Sequence, residues 1–384
     1  MTQKQNDTKA LALHKKLRGK IRITPALPIK DRATLSLIYT PGVAAVSKFI
    51  TGPSSYIEQA KLARTHTIKG RMIAVISDGS SVLGLGNIGP YGALPVMEGK
   101  AALFKTFADV DAFPLVLDTQ QVDEVVETIV RIAPAFGGIN LEDIKAPECF
   151  AIEARLKERL DIPVMHDDQH GTAIAALAAL INAAKVVKKD FKKLKVVVSG
   201  AGAAGTAIAK LLFKAGVKDI IVLDSKGIID ASRGDAHKKE LAAFTNPRSI
   251  EGGLTDALLG ADALIGVSGP NLMGAKEVSM MAKGAIIFAM ANPTPEITPE
   301  EAHKGGAAVV GTGRSDYPNQ INNSLVFPGV FRGALDNKVS KITDEMKLKA
   351  AHNLAALVKK PTAQKIVPGA FEKGVVAAVA KAIC

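Results

Sequence analysis

One segment in the middle of the chain, residues 194–224, constrains the fold more than any other. It contains an apolar strand (Leu194–Ser199), a glycine-rich turn, a helix of small residues from Ala203 to Ala215 and a second strand that ends at Asp224. The turn has the pattern G-x-G-x-x-G, and its residues are Gly200, Ala201, Gly202, Ala203, Ala204 and Gly205. Asp224 follows the first glycine by 24 positions, close to the roughly 20 expected of a ribose-binding carboxylate. This order predicts a Rossmann βαβ unit, with the pyrophosphate of a dinucleotide at the helix N-terminus.

Strands and helices alternate along most of the chain, which predicts parallel sheets and an α/β fold. A chain of 384 residues is long enough for two cores. We therefore predict an N-terminal α/β domain over 1–165 and a C-terminal Rossmann-type domain over 166–384. The second is expected to be a doubly wound parallel sheet followed by helices from about residue 330. The other predicted strands are 71–77, 112–117, 136–141, 162–165, 263–267, 285–289 and 307–310.

A second glycine-rich segment, residues 84–89, has the same glycine spacing and also follows a strand. Pro90 and Pro95 come next, so we expect no helix at its third glycine and interpret it as a loop over a small anion. A helix is expected from about Val96, with Lys100 in its first turn. The helix dipole there would lower the pKa of that lysine and suit it to act as a base.

Two pairs of acidic residues follow predicted strands. Asp167 and Asp168 precede a helix expected from about Gly171, where the positive end of the helix dipole favours ionised carboxylates facing a cleft. Glu142 and Asp143 come directly after the strand 136–141. Four carboxylates could then converge on one hard cation, Mg²⁺ or Mn²⁺. The alternative for the first pair is that one aspartate simply caps the helix.

Three further polar side chains lie beside predicted turns. Tyr39 precedes the helix-starting dipeptide Pro41-Gly42, which is a suitable place for a functional hydroxyl. Asn292 and Asn323 lie in polar loops beyond strands, where the ligands of open α/β sheets bind. The alternatives are a packing tyrosine and turn-forming asparagines.

Composition restricts the partners. The net charge of +12 is spread along the chain, aromatic residues are only 4% and tryptophan is absent. This favours anionic small molecules and a dinucleotide over a nucleic acid, which would need a basic tract and stacking surfaces. Two cysteines, Cys149 and Cys384, argue against a disulfide framework and for the reducing cytoplasm. We expect neither a signal peptide nor a membrane span.

Taken in order, these motifs resemble the malic enzyme family in its short bacterial form. The resemblance implies an N-terminal malate-binding domain, a C-terminal nicotinamide-binding domain and assembly as a homodimer. It also implies the oxidative decarboxylation of (S)-malate to pyruvate and CO₂ with reduction of NAD or NADP. The matching segments are 39–44, 83–89, 98–100, 141–143, 166–172, 200–205, 292–294 and 322–329.

The resemblance also assigns roles to individual residues. The metal ligands fall on Glu142, Asp143 and Asp168, the tyrosine acid on Tyr39 and the lysine base on Lys100. Asp167 matches a carboxylate near that lysine, Asn292 a residue that contacts nicotinamide or substrate, and Asn323 a substrate contact. The expected ion is Mg²⁺ or Mn²⁺, with zinc on His166 and His170 as the alternative.

Two further points stay open. Asp224 favours NAD, but Arg233 and Lys238 are close enough in sequence to receive the 2′-phosphate of NADP. Larger family members carry an arginine for the malate carboxylate where this chain has Ser80-Ser81, so the anchor could be the backbone amides of residues 84–89, Arg22 or Arg71. The rival functions are a metal-assisted dehydrogenase of 2-hydroxy acids without decarboxylation, and a catalytically silent nucleotide sensor or nucleic-acid-binding protein.

Overall fold

The computed structural model describes residues 3–384, so the first two residues of the predicted N-terminal domain lie outside it. The first sheet has four parallel strands in the order β2-β1-β3-β4. Its strands are β1 (Met72–Ser77), β2 (Asp111–Val116), β3 (Gly138–Leu141) and β4 (Val164–His166). The helices of this part are α1 (Gln3–Leu17), α2 (Arg32–Ile38), α3 (Gly42–Thr51), α4 (Tyr56–His66), α5 (Gly89–Ala108), α6 (Val122–Ile132) and α7 (Glu148–Arg159).

The second sheet has six strands in the order β10-β9-β8-β5-β6-β7, parallel except for the antiparallel edge strand β7. Its strands are β5 (Lys195–Ser199), β6 (Asp219–Asp224), β7 (Gly227–Ile228), β8 (Ala263–Gly266), β9 (Ile286–Ala289) and β10 (Val309–Thr312). The helices are α8 (Asp167–Val186), α9 (Ala203–Lys214), α10 (Ala236–Ala242), α11 (Leu254–Leu258), α12 (Ala275–Ser279), α13 (Pro299–Lys304), α14 (Phe327–Asp336), α15 (Asp344–Ala356) and α16 (Val375–Ala380). The predicted α/β fold and Rossmann sheet are thereby confirmed.

Both sheets change winding direction next to their first strand. In the first sheet β2 and β3 flank β1, and in the second β6 and β8 flank β5. Ligands of open α/β sheets bind beyond the carboxyl ends of the strands at such switch points. The loops that follow β1, β3, β5 and β8 are therefore the ones placed to build a site.

One hydrophobic core crosses between the two parts of the chain. Phe104 of α5 packs edge-to-face on Phe327 and Phe331 of α14, with ring centroids 4.7 and 5.5 Å apart. The Ala-rich helix α8 is buried along most of its length in the same cluster. The last strand of the first sheet ends at His166 and α8 begins at Asp167. The domain boundary between residues 165 and 166 stays a prediction.

The helix that carries Lys100 starts earlier than predicted. It begins at Gly89, with Pro90 in the first turn, and contains Pro95 in its interior. A proline is well suited to the first turn, because the amide hydrogen that it lacks would find no partner there. Lys100 therefore lies in the middle of a 20-residue helix, so the expected effect of the helix N-terminus on its pKa does not apply.

The stretch Arg32–Thr51 has the length and composition of a membrane span, with a mean hydropathy of 1.3 and none of its window buried. In the structure it is divided at residues 39–41 into α2 and α3, of 7 and 10 residues. Either helix is too short to cross a bilayer, which takes about 20 residues. The two short helices instead present exposed apolar side chains, among them Leu37, Val43 and Phe49.

Candidate active site

A cleft of about 840 Å³ lies at the carboxyl ends of both sheets. One wall comes from the first domain and α8, and the other from the glycine turn after β5 and the loops after β8 and β9. It brings together most of the site residues that the sequence predicts. These are Lys100, Glu142, Asp143, Asp168, Gly202, Ala203, Ala204, Asn292 and Asn323.

Three carboxylates form a cluster in this cleft. One oxygen each of Glu142, Asp143 and Asp168 lies within 4.8 Å of the others. Glu142 and Asp143 follow β3, and Asp168 is in the first turn of α8. The main-chain N–H of Asp143 donates to Asp168 Oδ2 at 2.8 Å, and that of Glu142 donates to the Ile76 carbonyl at 2.9 Å. The backbone thus fixes how the acidic groups face one another.

The electrostatics of the cluster favour a cation. Burial raises the pKa of Asp143 to about 7, and the neighbouring Asp168 adds to the shift. Burial likewise raises the pKa of Glu142 well above its usual range, although Lys100 opposes the shift. The buried Asp143 Oδ2 has no hydrogen-bond partner among residues 3–384. An oxygen-only set with an orphaned carboxylate oxygen suits a hard divalent ion.

Lys100 is buried beside this cluster. Its Nζ lies 2.5 Å from Asp167 Oδ2, 2.6 Å from Glu142 Oε1 and 4.3 Å from the centre of the Phe327 ring. Burial alone would lower the pKa of the ammonium group, but Asp167, Glu142 and Asp168 together outweigh it and raise the pKa. The predicted lowering of the Lys100 pKa is wrong, because the lysine faces carboxylates and not a helix N-terminus.

Asp167 is placed differently from its predicted position. The sequence predicts that it faces the cleft, but it is fully buried in contact with Lys100. Burial raises the pKa of Asp167 to about 6 despite the opposing effect of the lysine. A side chain on Gly171 would collide with Asp167 Oδ1, so the glycine makes room for the carboxylate. The aspartate is therefore placed to orient the lysine. Of the predicted pair, Asp168 lines the cleft.

The glycine turn has the geometry that a pyrophosphate requires. Gly200 has a φ of +115°, which a residue with a side chain rarely adopts. A Cβ on Gly205 would strike the Gly200 carbonyl, so only glycine lets α9 approach β5 closely. The position above Gly202 is open, with no atom of the described residues within 4 Å of where its Cβ would be.

Asp224 lies at the end of β6, next to the strand that leads into this turn. Its Oδ2 accepts from Arg233 Nη2 at 2.5 Å and from Lys238 Nζ at 2.8 Å, while the Lys226 N–H donates to Oδ1 at 2.8 Å. These bonds lower the pKa of Asp224 to about 2, although partial burial opposes them. A carboxylate and two cations thus share the place expected for the adenosine ribose.

The remaining predicted residues fall in different places. Tyr39 is 66% exposed and does not line the cleft. His166 is buried with its Nε2 3.8 Å from Asp168 Oδ2, and His170 donates from Nε2 to Glu153 Oε2 at 2.9 Å. The second histidine is thus hydrogen-bonded to a glutamate, and the cluster with metal-ligand spacing found among residues 3–384 contains carboxylates only.

Sequence reasoning missed three residues around the site. Lys20 lines the cleft, where its Nζ donates to the Pro95 carbonyl at 2.5 Å. The buried Glu296 accepts from the N–H groups of Ser268 and Ala291, at 3.0 and 3.1 Å, and so joins the loops after β8 and β9. The third, Glu153, accepts the His166 N–H at 2.9 Å. A glutamate in a predicted helix, or a lysine in an extended segment, gives no signal of its own in a sequence.

A cleft between two α/β domains, with a dinucleotide turn on one wall and a carboxylate cluster with a buried lysine on the other, defines a nicotinamide-dinucleotide oxidoreductase. Residues 18–157 match the malic enzyme N-terminal domain and residues 169–383 the malic enzyme NAD binding domain.

Individual relatives agree with these matches. The chain is 52% identical over 379 residues to the bifunctional malic/malolactic enzyme of Bacillus subtilis, covering 97% of this chain and 91% of that one. It is 52% identical over 369 residues to the NAD-dependent malic enzyme of Geobacillus stearothermophilus, covering 95% and 76%. The solved structure of the NAD-dependent malic enzyme of Thermotoga maritima superimposes with a TM-score of 0.93 at 47% identity, covering 97% and 98%. The chain therefore belongs to the malic enzyme family.

Proposed function

We propose that this protein catalyses the oxidative decarboxylation of (S)-malate to pyruvate and CO₂ with reduction of NAD or NADP. The observation that carries the proposal is the shared cleft, in which the three-carboxylate cluster and Lys100 face the turn at Gly202. A hydroxy acid held between the two walls would have its C2 beside the nicotinamide end of a dinucleotide bound at this turn.

Glu142, Asp143 and Asp168 would hold the divalent ion, Mg²⁺ or Mn²⁺, as the orphaned Asp143 Oδ2 supports. When bound, the ion would supply positive charge that balances the carboxylates, favours the neutral form of Lys100 and polarises the substrate oxygens. Lys100 accepts the C2 hydroxyl proton, and Asp167 and Glu142 hold its Nζ in place. Asn292 and Asn323 line the cleft as contacts for nicotinamide and substrate.

Product analysis tests this reaction. With malate, Mg²⁺ and either dinucleotide, we expect pyruvate, CO₂ and reduced nicotinamide in equal amounts. Reduced nicotinamide without CO₂ would replace the proposal by the dehydrogenase that does not decarboxylate. Lactate without net reduction of the dinucleotide would point to the second activity that the name of the Bacillus subtilis relative states.

Lys20 is our proposed anchor for a malate carboxylate. Of the earlier candidates, Arg71 precedes β1 and pairs with Asp111 at 3.2 Å, so it lies at the strand end away from the cleft. Arg22 is exposed and does not line the cleft. Of the amides of residues 84–89, those of residues 85, 88 and 89 already donate to carbonyl groups, so only part of this loop could serve. Lys20 is half-buried in the cleft wall, where burial lowers the pKa of its ammonium group and the nearby Glu98 opposes the shift.

The choice between NAD and NADP depends on Asp224 and its two cationic partners, Arg233 and Lys238. The carboxylate suits a free ribose 2′-hydroxyl, and Arg233 with Lys238 suits a 2′-phosphate. Relatives of this chain are named as NAD-dependent and as NADP-dependent enzymes. The ratio of kcat/KM for the two dinucleotides decides between them.

We also propose a homodimer in which Tyr39 acts in the cleft of the partner subunit. The residue lies between α2 and α3, helices that bury none of their own residues, and it is exposed and outside the cleft that contains Lys100. A contiguous exposed apolar surface of this kind marks a protein interface. The two free cysteines, Cys149 and Cys384, fit the proposed cytoplasmic location.

Mixing two inactive variants tests the shared site. Tyr39→Phe and Lys100→Ala subunits, denatured and refolded together, should form heterodimers with one intact site. Random pairing in a two-fold dimer predicts about one quarter of the wild-type activity. No recovery above the unmixed variants would mean that Tyr39 acts in its own chain or not at all.

A further inference from the structure

A second cavity, of about 510 Å³, lies against the neighbouring face of α8 and plays no part in the proposed reaction. Helix α7 of the first domain forms one side, and α9, α10 and α15 of the second form the other. A ligand in this cavity would therefore contact both domains at once.

The cavity has an excess of positive charge. It is lined by Lys157, Lys210, Lys214 and Lys347, against the carboxylates of Glu153, Glu240 and Asp344. Asp344 is shared, since it pairs with both Lys214 and Lys347. The two histidines in the wall add no charge at neutral pH, because burial lowers the pKa of His170, to about 4, and that of His237. Four ammonium groups thus face three carboxylates.

Two polar groups in the wall are buried and so belong to a built site. Lys347 is 6% exposed, and Gln169 is 5% exposed. The amide nitrogen Nε2 of Gln169 finds no acceptor in the part of the chain that the structure describes. A buried donor without a partner destabilises the protein, so this amide calls for an acceptor from outside the chain.

We propose that this cavity binds a small organic anion, a carboxylate or phosphate, as a regulatory ligand. Its oxygens would accept from Gln169 Nε2 and Lys347, and its carbon skeleton would lie against Phe150, Phe213 and Phe244. These groups come from both domains, and the ligand would fix the position of one domain relative to the other.

A short path connects the cavity with the active site. Glu153 lines the cavity, pairs with Lys157 at 2.8 Å and with His170 at 2.9 Å, and accepts the His166 N–H at 2.9 Å. His166 directly precedes Asp167, which pairs with Lys100, and Asp168, which belongs to the three-carboxylate cluster. An anion that draws Lys157 or His170 away from Glu153 would shift this segment.

Binding to the wild-type enzyme, measured by calorimetry with Mg²⁺ and NAD already bound, tests the proposal. The probes are glycerol 3-phosphate and butyrate, which separate a phosphate source from a carboxylate source. We expect one of them to bind at one site per chain. Binding should weaken by about tenfold or more in Gln169→Leu and in Lys347→Met, the loss of one hydrogen bond to a charged group. It should be unchanged in Lys338→Met, which alters an exposed lysine outside the cavity.

If neither probe saturates a site, or if Gln169→Leu and Lys347→Met bind as the wild type does, the ligand site is refuted. If the two buried variants unfold, Lys210→Met replaces them in the binding test, because it changes a more exposed lysine of the cavity wall. Kinetics test the regulatory part, because the bound probe should change kcat/KM for malate in the wild type and not in Gln169→Leu. Binding without that change would refute the regulation and leave the site.

Discussion

Replacing Lys20 by methionine keeps the aliphatic stem and removes the ammonium group from the cleft wall. A hydrogen bond to a charged partner contributes about 1.5–3 kcal/mol. Because Lys20 is half-buried, we take about 2 kcal/mol, within this range, as the free energy of malate binding that is lost. That corresponds to a rise in the KM for malate of about 30-fold.

The assay is steady-state reduction of the dinucleotide at varied malate and saturating metal. The KM for the dinucleotide and the thermal midpoint should stay unchanged, since Lys20 contacts the wall at Pro95 and not the glycine turn. Lys20→Arg should recover part of the loss by restoring the charge. Arg22→Met is the matched control, because this exposed cation is two residues away and outside the cleft. A malate KM within twofold of the wild type in Lys20→Met, or an equal rise in Arg22→Met, would refute the assignment.

Two predictions concern Asp224. Asp224→Ala should free Arg233 and Lys238 and raise the NADP-to-NAD ratio of kcat/KM by about tenfold or more, as the loss of a charged hydrogen bond implies; a ratio that falls would contradict this. The pKa of Asp224 is depressed from 3.8 to about 2 in the folded protein. Its stabilisation is therefore present above pH 4 and lost as the pH falls toward 2, by about 1 kcal/mol after allowance for solvent screening. Asp224→Asn should show a flatter acid dependence of the unfolding free energy over that range, and parallel curves would disprove the linkage.

The glycine turn and its strands could be predicted from the sequence because their requirements are local. The backbone at Gly200 has a positive φ, and the helix approaches the strand closely at Gly205. The spacing of the motif predicts a glycine at both positions. The carboxylate cluster could be anticipated too, since its members follow strands that end at one edge of a sheet.

The electrostatic state of the site could not be predicted in this way. The pKa of Lys100 depends on contacts with Glu142 and Asp167, which lie 42 and 67 positions later in the chain. It does not depend on the position of the lysine in its own helix. That helix starts earlier than the sequence predicts because Pro90 lies in its first turn, where proline is tolerated, and does not break the helix. The burial of Asp167 follows from the packing of α8, which no local pattern shows.

Direct titration with Mn²⁺, followed by the loss of the free-ion electron paramagnetic resonance signal, tests the central claim. We predict one tightly bound ion per chain in the wild type and a steep loss of affinity in Asp168→Asn and Asp143→Asn. Asp123→Asn, on an exposed carboxylate of α6 that is not part of the cluster, should bind as the wild type does. Wild-type affinity in both cluster variants would show that these carboxylates do not hold the metal, and the proposed reaction would lose its site.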